Sequence, residues 1–138
     1  MIVDGELATE LLSGRAEDQS NRGSDLVSQG KLDEAIGCFR EAIRLRPAYP
    51  EAFNNLGNAL ARCGRLDDAI ANYHEAIRLR PGYSHALCNL GNALREAGKL
   101  DEAAESQRAA IGAEAGWPEA HNDLGITLTR KGQLRIAE

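Results

Sequence analysis

Three histidines (His74, His85, His121) and three cysteines (Cys38, Cys63, Cys88) are the residues of this 138-residue chain best suited to nucleophilic or metal chemistry. No Ser or Cys has a His at a spacing that would form a proton relay. His85 and Cys88 are three apart and would share one face of a helix; with His121 they make three zinc-type ligands, and Asp123 or water would have to supply the fourth. Isolated polar side chains and a small core-type cysteine account for the same residues, and no metal is expected. The glycines from Gly112 to Gly116 lack the lysine of a phosphate loop, so no nucleotide or other cofactor is expected. Acidic pairs such as Asp33-Glu34 and Asp67-Asp68 fit helix starts better than general acid–base work. These residues predict a chain that is not an enzyme.

Amides form a second pattern. Asn21, Asn55 and Asn89 fall in one column at intervals of 34 residues, with Asp123 in the fourth place. Asn58 and Asn92 form a column three residues on, where Ser24 precedes them, and Asn54 and Asn122 form a third, interrupted by Cys88. Asparagine is a mediocre helix former because its side chain competes for backbone hydrogen bonds, so its return in helix interiors needs a cause. A side-chain amide both donates and accepts, and can pair with a peptide backbone whatever side chains that peptide carries. Two readings stand: the amides hold a ligand, or they bond within and between units.

Composition narrows the partners. A net charge of −5 and a pI near 5.3 speak against nucleic acid and anionic membrane surfaces. No apolar run reaches the ~20 residues needed to cross a bilayer. Asp4 and Glu6 stand where a secretory signal would carry positive charge, so the expected compartment is cytoplasmic. The three cysteines imply no disulfide framework.

The interval of 34 residues organises the whole chain. It links Gly23, Gly57, Gly91 and Gly125, and likewise Leu26, Leu60, Leu94 and Leu128. Gly30, Gly64, Gly98 and Gly132 follow it, as do Ala35, Ala69, Ala103 and Ala137, and EAIRLRP occurs at both 41–47 and 75–81. Each interval reads as two helices. Phe53, Leu56 and Leu60 make one stripe, opened by Pro50 and stopped by Gly64. Asp67 is expected to cap a second helix, whose stripe runs through Ala69, Ile70, Tyr73, Ala76 and Ile77 until Pro81 ends it. The return of this glycine in all four units, at 23, 57, 91 and 125, implies a close helix–helix contact in each. Tyr49, Tyr83 and Trp117 are expected to pack across the joints between units. Arg44, Arg46, Arg78 and Arg80 suit the C-terminal ends of second helices on a solvated outer face.

The columns Leu56-Gly57, Leu60, Gly64, Ala69, Tyr73, Ala76 and Pro81 resemble the tetratricopeptide repeat (TPR) family. The resemblance implies an all-α, right-handed solenoid of antiparallel helix pairs. Its units are 16–49, 50–83, 84–117 and a partial 118–138, preceded by a segment 1–15 in which Val3, Leu7 and Leu11, with a cap at Asp4, suggest a short docking helix. Unit one departs with Gln19 and Arg22, and unit four has Arg135 where the others have a capping Asp and stops early in its second helix. Leu124 and Leu128 are thereby left partly uncovered, which is expected of a piece of a longer protein and gives self-association through that end in isolation.

In the TPR family the amide-bearing face lines a concave groove, so the resemblance implies a ligand-binding set of Asn21, Ser24, Asn54, Asn55, Asn58, Asn89, Asn92, Asn122 and Asp123. This ladder is similar to that of O-GlcNAc transferases. TPR domains that grip chaperone tails use lysines, an arginine and asparagines; the matching positions here are Ser20, Ser24, Asn55, His85 and Asn89, so the basic partners are missing. Arg62, Arg95 and Arg130 add a positive rim read as solvated. The expected function is a non-catalytic scaffold that binds an extended peptide or partner segment. The alternatives are a targeting arm of a larger enzyme such as a glycosyltransferase and a self-assembling structural repeat.

Overall fold

The computed structural model describes residues 5–137, with side chains up to Leu134. Seven helices follow one another: α1 (Gly5–Ser28), α2 (Leu32–Leu45), α3 (Pro50–Arg62), α4 (Leu66–Leu79), α5 (Ser84–Glu96), α6 (Leu100–Ala113) and α7 (Pro118–Ala137). No strand occurs among the described residues.

The turn inside each pair is built by one glycine. Gly64 has φ +80°, a conformation costly for a residue with a Cβ. Its N–H bonds to the Ala61 carbonyl at 3.0 Å and that of Arg65 to Leu60 at 2.9 Å, so carbonyls orphaned at the end of α3 are satisfied. Gly30 and Gly98 repeat this geometry. The second helix then starts at Leu66, one residue before the expected cap. Arg65 occupies the capping position without a side-chain capping bond, and Asp67 and Asp68 lie in the first turn, where their charge favours the positive end of the helix dipole.

The glycine column at 57 is a close approach. An added Cβ at Gly23, Gly57 or Gly91 would lie 2.7, 2.5 or 2.5 Å from Phe39, Tyr73 or Gln107 of the paired helix. A core of Leu26, Phe39, Leu56, Leu60, Tyr73, Leu90 and Leu94 runs unbroken through the first three pairs. Tyr49 and Trp117 pack at the joints, with Ala42 and Ala52 in one case and Leu87, Ala110 and Ala120 in the other.

The stack has an inside and an outside. α1 touches α3, α3 touches α5 and α5 touches α7, whereas α2, α4 and α6 do not touch one another. First helices therefore line the tighter, concave side.

Both ends differ from the sequence reading. The described part of 1–15 forms no separate docking helix: α1 is continuous from Gly5 to Ser28, 24 residues against 14 for α2. Nothing between Leu11 and Ala16 breaks a helix strongly enough to offset the hydrogen bonds that continuation adds. Val3 and the cap at Asp4 lie outside the described residues. At the other end α7 runs through Gly132 to Ala137 without the expected turn.

Candidate functional site

The amides divide by partner. Asn54 is buried and its Oδ1 accepts from Asn89 Nδ2 at 3.0 Å, a bond across the joint between α3 and α5. Asn58 Oδ1 accepts from the Tyr73 hydroxyl at 2.6 Å, which ties α3 to α4. Asn92 Oδ1 accepts from Gln107 Nε2 at 3.2 Å, while its Nδ2 donates to Asp123 Oδ2 at 3.1 Å, joining α5 to both α6 and α7. Asn54, Asn58, Asn92 and Asp123 thus bond within and between units.

Asn55 differs. It sits half-buried on α3, one of the first helices that line the concave side, and its amide makes no hydrogen bond among the described residues. Beside it, Asn89 is oriented by Asn54 and retains a second N–H and its carbonyl oxygen. Asn21, Ser24 and Asn122 are exposed. Asn21 lines a polar cleft of about 370 Å³ with Glu17, Arg46, Tyr49 and Glu51, and Asn122 borders a recess of about 610 Å³ along α7.

The arginines at the ends of second helices do more than complement dipoles on a solvated face. Arg46 stacks on Tyr49, 4.4 Å from the ring centroid, and pairs with Glu17 at 3.5 Å. Arg80 repeats this on Tyr83 at 4.7 Å, paired with Glu51. Burial would raise the Glu51 carboxyl, but the hydrogen bond from Arg80, a backbone bond and the charges of Arg80 and Arg46 outweigh it and hold it below the usual range. Arg44 and Arg78 pair with Glu41 and Glu75 on the surface, where solvent screens such pairs and little stability comes from them. At the third joint His85 replaces the glutamate and stacks on Trp117, with ring centroids 4.6 Å apart.

A polar cluster between α5, α6 and α7 escaped sequence reasoning. Arg95, expected in a solvated rim, is half-buried and donates from Nη1 to the Asp123 carbonyl at 3.1 Å and to Thr127 Oγ1 at 3.4 Å. Gln107 fills the column of Phe39 and Tyr73, fully buried, and its Oε1 finds no donor. The signal was present in the sequence as Gln107, which stands where the first two units have Phe39 and Tyr73, as Arg95, which stands where they have Val27 and Ala61, and as Thr127, which stands where the second and third units have Ala59 and Ala93. Arg62 and Arg130 are exposed, as expected.

Cys88 belongs to this cluster. Burial pushes its thiol up to about 12, helped by its hydrogen bond to Asp123 at 3.1 Å and by the charges of Asp123 and Glu119, against the opposing charge of Arg95. Burial also raises the Tyr73 hydroxyl, with Glu96 adding to it. Both groups fold neutral, so their contribution is complete below their unfolded pKa values and is lost as pH climbs towards the folded ones. Stability should therefore fall from about pH 9 upward. Iodoacetamide at pH 8 should alkylate exposed Cys63 and spare Cys88 until the chain is unfolded, which peptide mass mapping reads directly.

His85, Cys88 and His121 are not brought together as ligands: His121 Nε2 meets the Ala115 carbonyl at 3.0 Å, and no group of three metal-type side chains occurs among the described residues. No helix among them is long and apolar enough to cross a membrane.

Comparison with known proteins agrees with this architecture. Residues 23–64 match a family model described as TPR repeat, and residues 49–113 one described as tetratricopeptide repeat. No curated protein matches the chain by sequence. Among solved structures, the first TPR of Spaghetti (RPAP3) bound to HSP90 peptide SRMEEVD is 27% identical, over 87% of this chain and 95% of that one, with a TM-score of 0.85. The first TPR domain of human RPAP3 is 25% identical over 90% and 98%, with a TM-score of 0.86. The Sgt2 TPR domain from Aspergillus fumigatus shares the fold at 22% identity over 89% and 83%, with a TM-score of 0.86. The glycine turns, the glycine–aromatic contacts and the family models that together match 23–113 lead to one conclusion: the chain belongs to the tetratricopeptide repeat family.

Proposed function

We propose that the chain is a non-catalytic interaction module that holds an extended peptide or partner segment along its concave side. The observation that carries this is Asn55, a half-buried amide of α3 with no hydrogen-bond partner among the described residues, next to an Asn89 already oriented by Asn54. A half-buried amide facing an open groove favours a ligand that supplies a peptide carbonyl and N–H. Two structures at 27% and 25% identity hold the HSP90 peptide SRMEEVD and the HSP70 peptide SGPTIEEVD. In this chain the positions matching the family's basic clamp carry Ser20, which is buried, Ser24, His85 and Asn89, so the ligand is gripped through its backbone and not through a free carboxylate. Asn21 and Asn122 extend the contact towards the two ends.

Fluorescence anisotropy with labelled SRMEEVD and SGPTIEEVD, each as free acid and C-terminal amide, tests this reading. Amidation should change affinity less than twofold. Asn55→Ala should weaken binding by about 3–10-fold, the value of one hydrogen bond, at unchanged melting temperature. Asn89→Ala is the poorer probe, because it strips buried Asn54 of its donor. Binding that demands the free carboxylate, or that ignores Asn55→Ala, would defeat the proposal.

A further inference from the structure

The joints between units follow one plan, and the third departs from it. At the first, Arg46 lies over the Tyr49 ring, 4.4 Å from its centroid, and pairs with Glu17; at the second, Arg80 lies over Tyr83 and pairs with Glu51. The 34-residue step carries the two arginines on to Glu114, the two glutamates on to His85 and the two tyrosines on to Trp117. The third joint therefore keeps an aromatic ring and a carboxylate but has lost the guanidinium that bridges them at the other two. There the arginine stands three residues before the ring it covers, so the loss is fixed by Glu114 itself, within the sequence.

Glu114 accepts from the Ser84 hydroxyl at 2.9 Å and has no cationic partner among the described residues. The Trp117 indole donates to Glu119 Oε2 at 3.2 Å, and the exposed His85 ring stacks on it. Tyr83 lies 6.4 Å from His85, so three rings adjoin at this joint. Asn89, with an N–H and a carbonyl oxygen still free, is one turn along α5 from His85. A flat, weakly hydrated guanidinium is the group that this chain twice seats on a ring beside a carboxylate. We infer that the third joint receives an arginine side chain of the bound segment, stacked on the Trp117–His85 rings and paired with Glu114; the inference rests on the peptide-binding role proposed above. At the first two joints the ring is already covered by the chain's own arginine, so only the third draws such a side chain, which fixes the direction in which the segment lies. The net charge of −5 favours the approach of a basic segment.

Trp117 is the only tryptophan of the chain, so its fluorescence reports on this joint directly. Titration with N-acetylarginine amide should change the emission saturably, and N-acetylglutamine amide should not. Glu114→Gln should weaken the response about 3–10-fold, the value of one charged contact. Glu114→Arg should abolish it, because the new guanidinium covers Trp117 as Arg46 and Arg80 cover their tyrosines. Anisotropy then uses SRMEEVD and variants in which the arginine is moved along the peptide or replaced by glutamine. One register should bind about 3–10-fold more tightly than the glutamine peptide, and Glu114→Gln should erase that advantage. An emission that ignores the arginine amide, or a response that both Glu114 variants leave intact, would overturn the inference. So would peptides that bind equally well with and without arginine. Peptides that fail to bind at all would count against the peptide-binding role, while the amide titration still decides the joint.

Discussion

Gly57→Ala should destabilise the chain by about 1–3 kcal/mol, the usual cost of overpacking a close helix contact, and Gly125→Ala should stabilise it by about 0.5–1 kcal/mol. At residue 57 the new methyl would lie 2.5 Å from Tyr73 Cε1 and 2.8 Å from Cδ1. The ring cannot slide away, because it is buried in the continuous core and its hydroxyl is tied to Asn58 at 2.6 Å. At residue 125 the methyl meets open space in a helix interior, so only the gain in helix propensity remains. Urea denaturation of the two variants beside the wild type reads both signs. A neutral Gly57→Ala would refute the close approach of α3 and α4.

Gln107→Tyr should raise stability by about 1–3 kcal/mol, the cost of leaving a buried polar atom unsatisfied. The Gln107 amide is fully buried and its Oε1 has no donor. Tyr73 shows what the column accommodates: a ring lying over Gly57 with its hydroxyl on Asn58. Gly91 and Asn92 offer the same floor and the same acceptor one unit later. Thermal unfolding followed by circular dichroism measures the gain. A loss instead would show that Arg95, standing where the second unit has Ala61, has taken the room that the ring needs.

The polar residues were the hard part to read. Asn55 and Asn58 are three apart on one helix and look alike in sequence, yet one is unpartnered and the other holds Tyr73. Arg46 and Arg80 read as solvated charges because their partners, Glu17 and Glu51, each lie 29 residues away. Asn54 read as a groove residue, but Asn89 of the next unit covers it from 35 residues on. In each case the deciding neighbour belongs to another helix, and spacing along one helix carries no information about it.

By itself the sequence determined the period of 34 residues, the helix pairs within it, the glycine turns and the close helix–helix approach at the glycine column. All of these follow from backbone conformation and from the volume of single side chains, which local residue types dictate. Only the tertiary structure decided that α1 and α7 each run on as one helix, which amides are consumed by the scaffold, and that Asn55 is left over. Those outcomes depend on which donors and acceptors meet once the units stack, and a hydrogen bond forms between neighbours in space, whatever their distance along the chain.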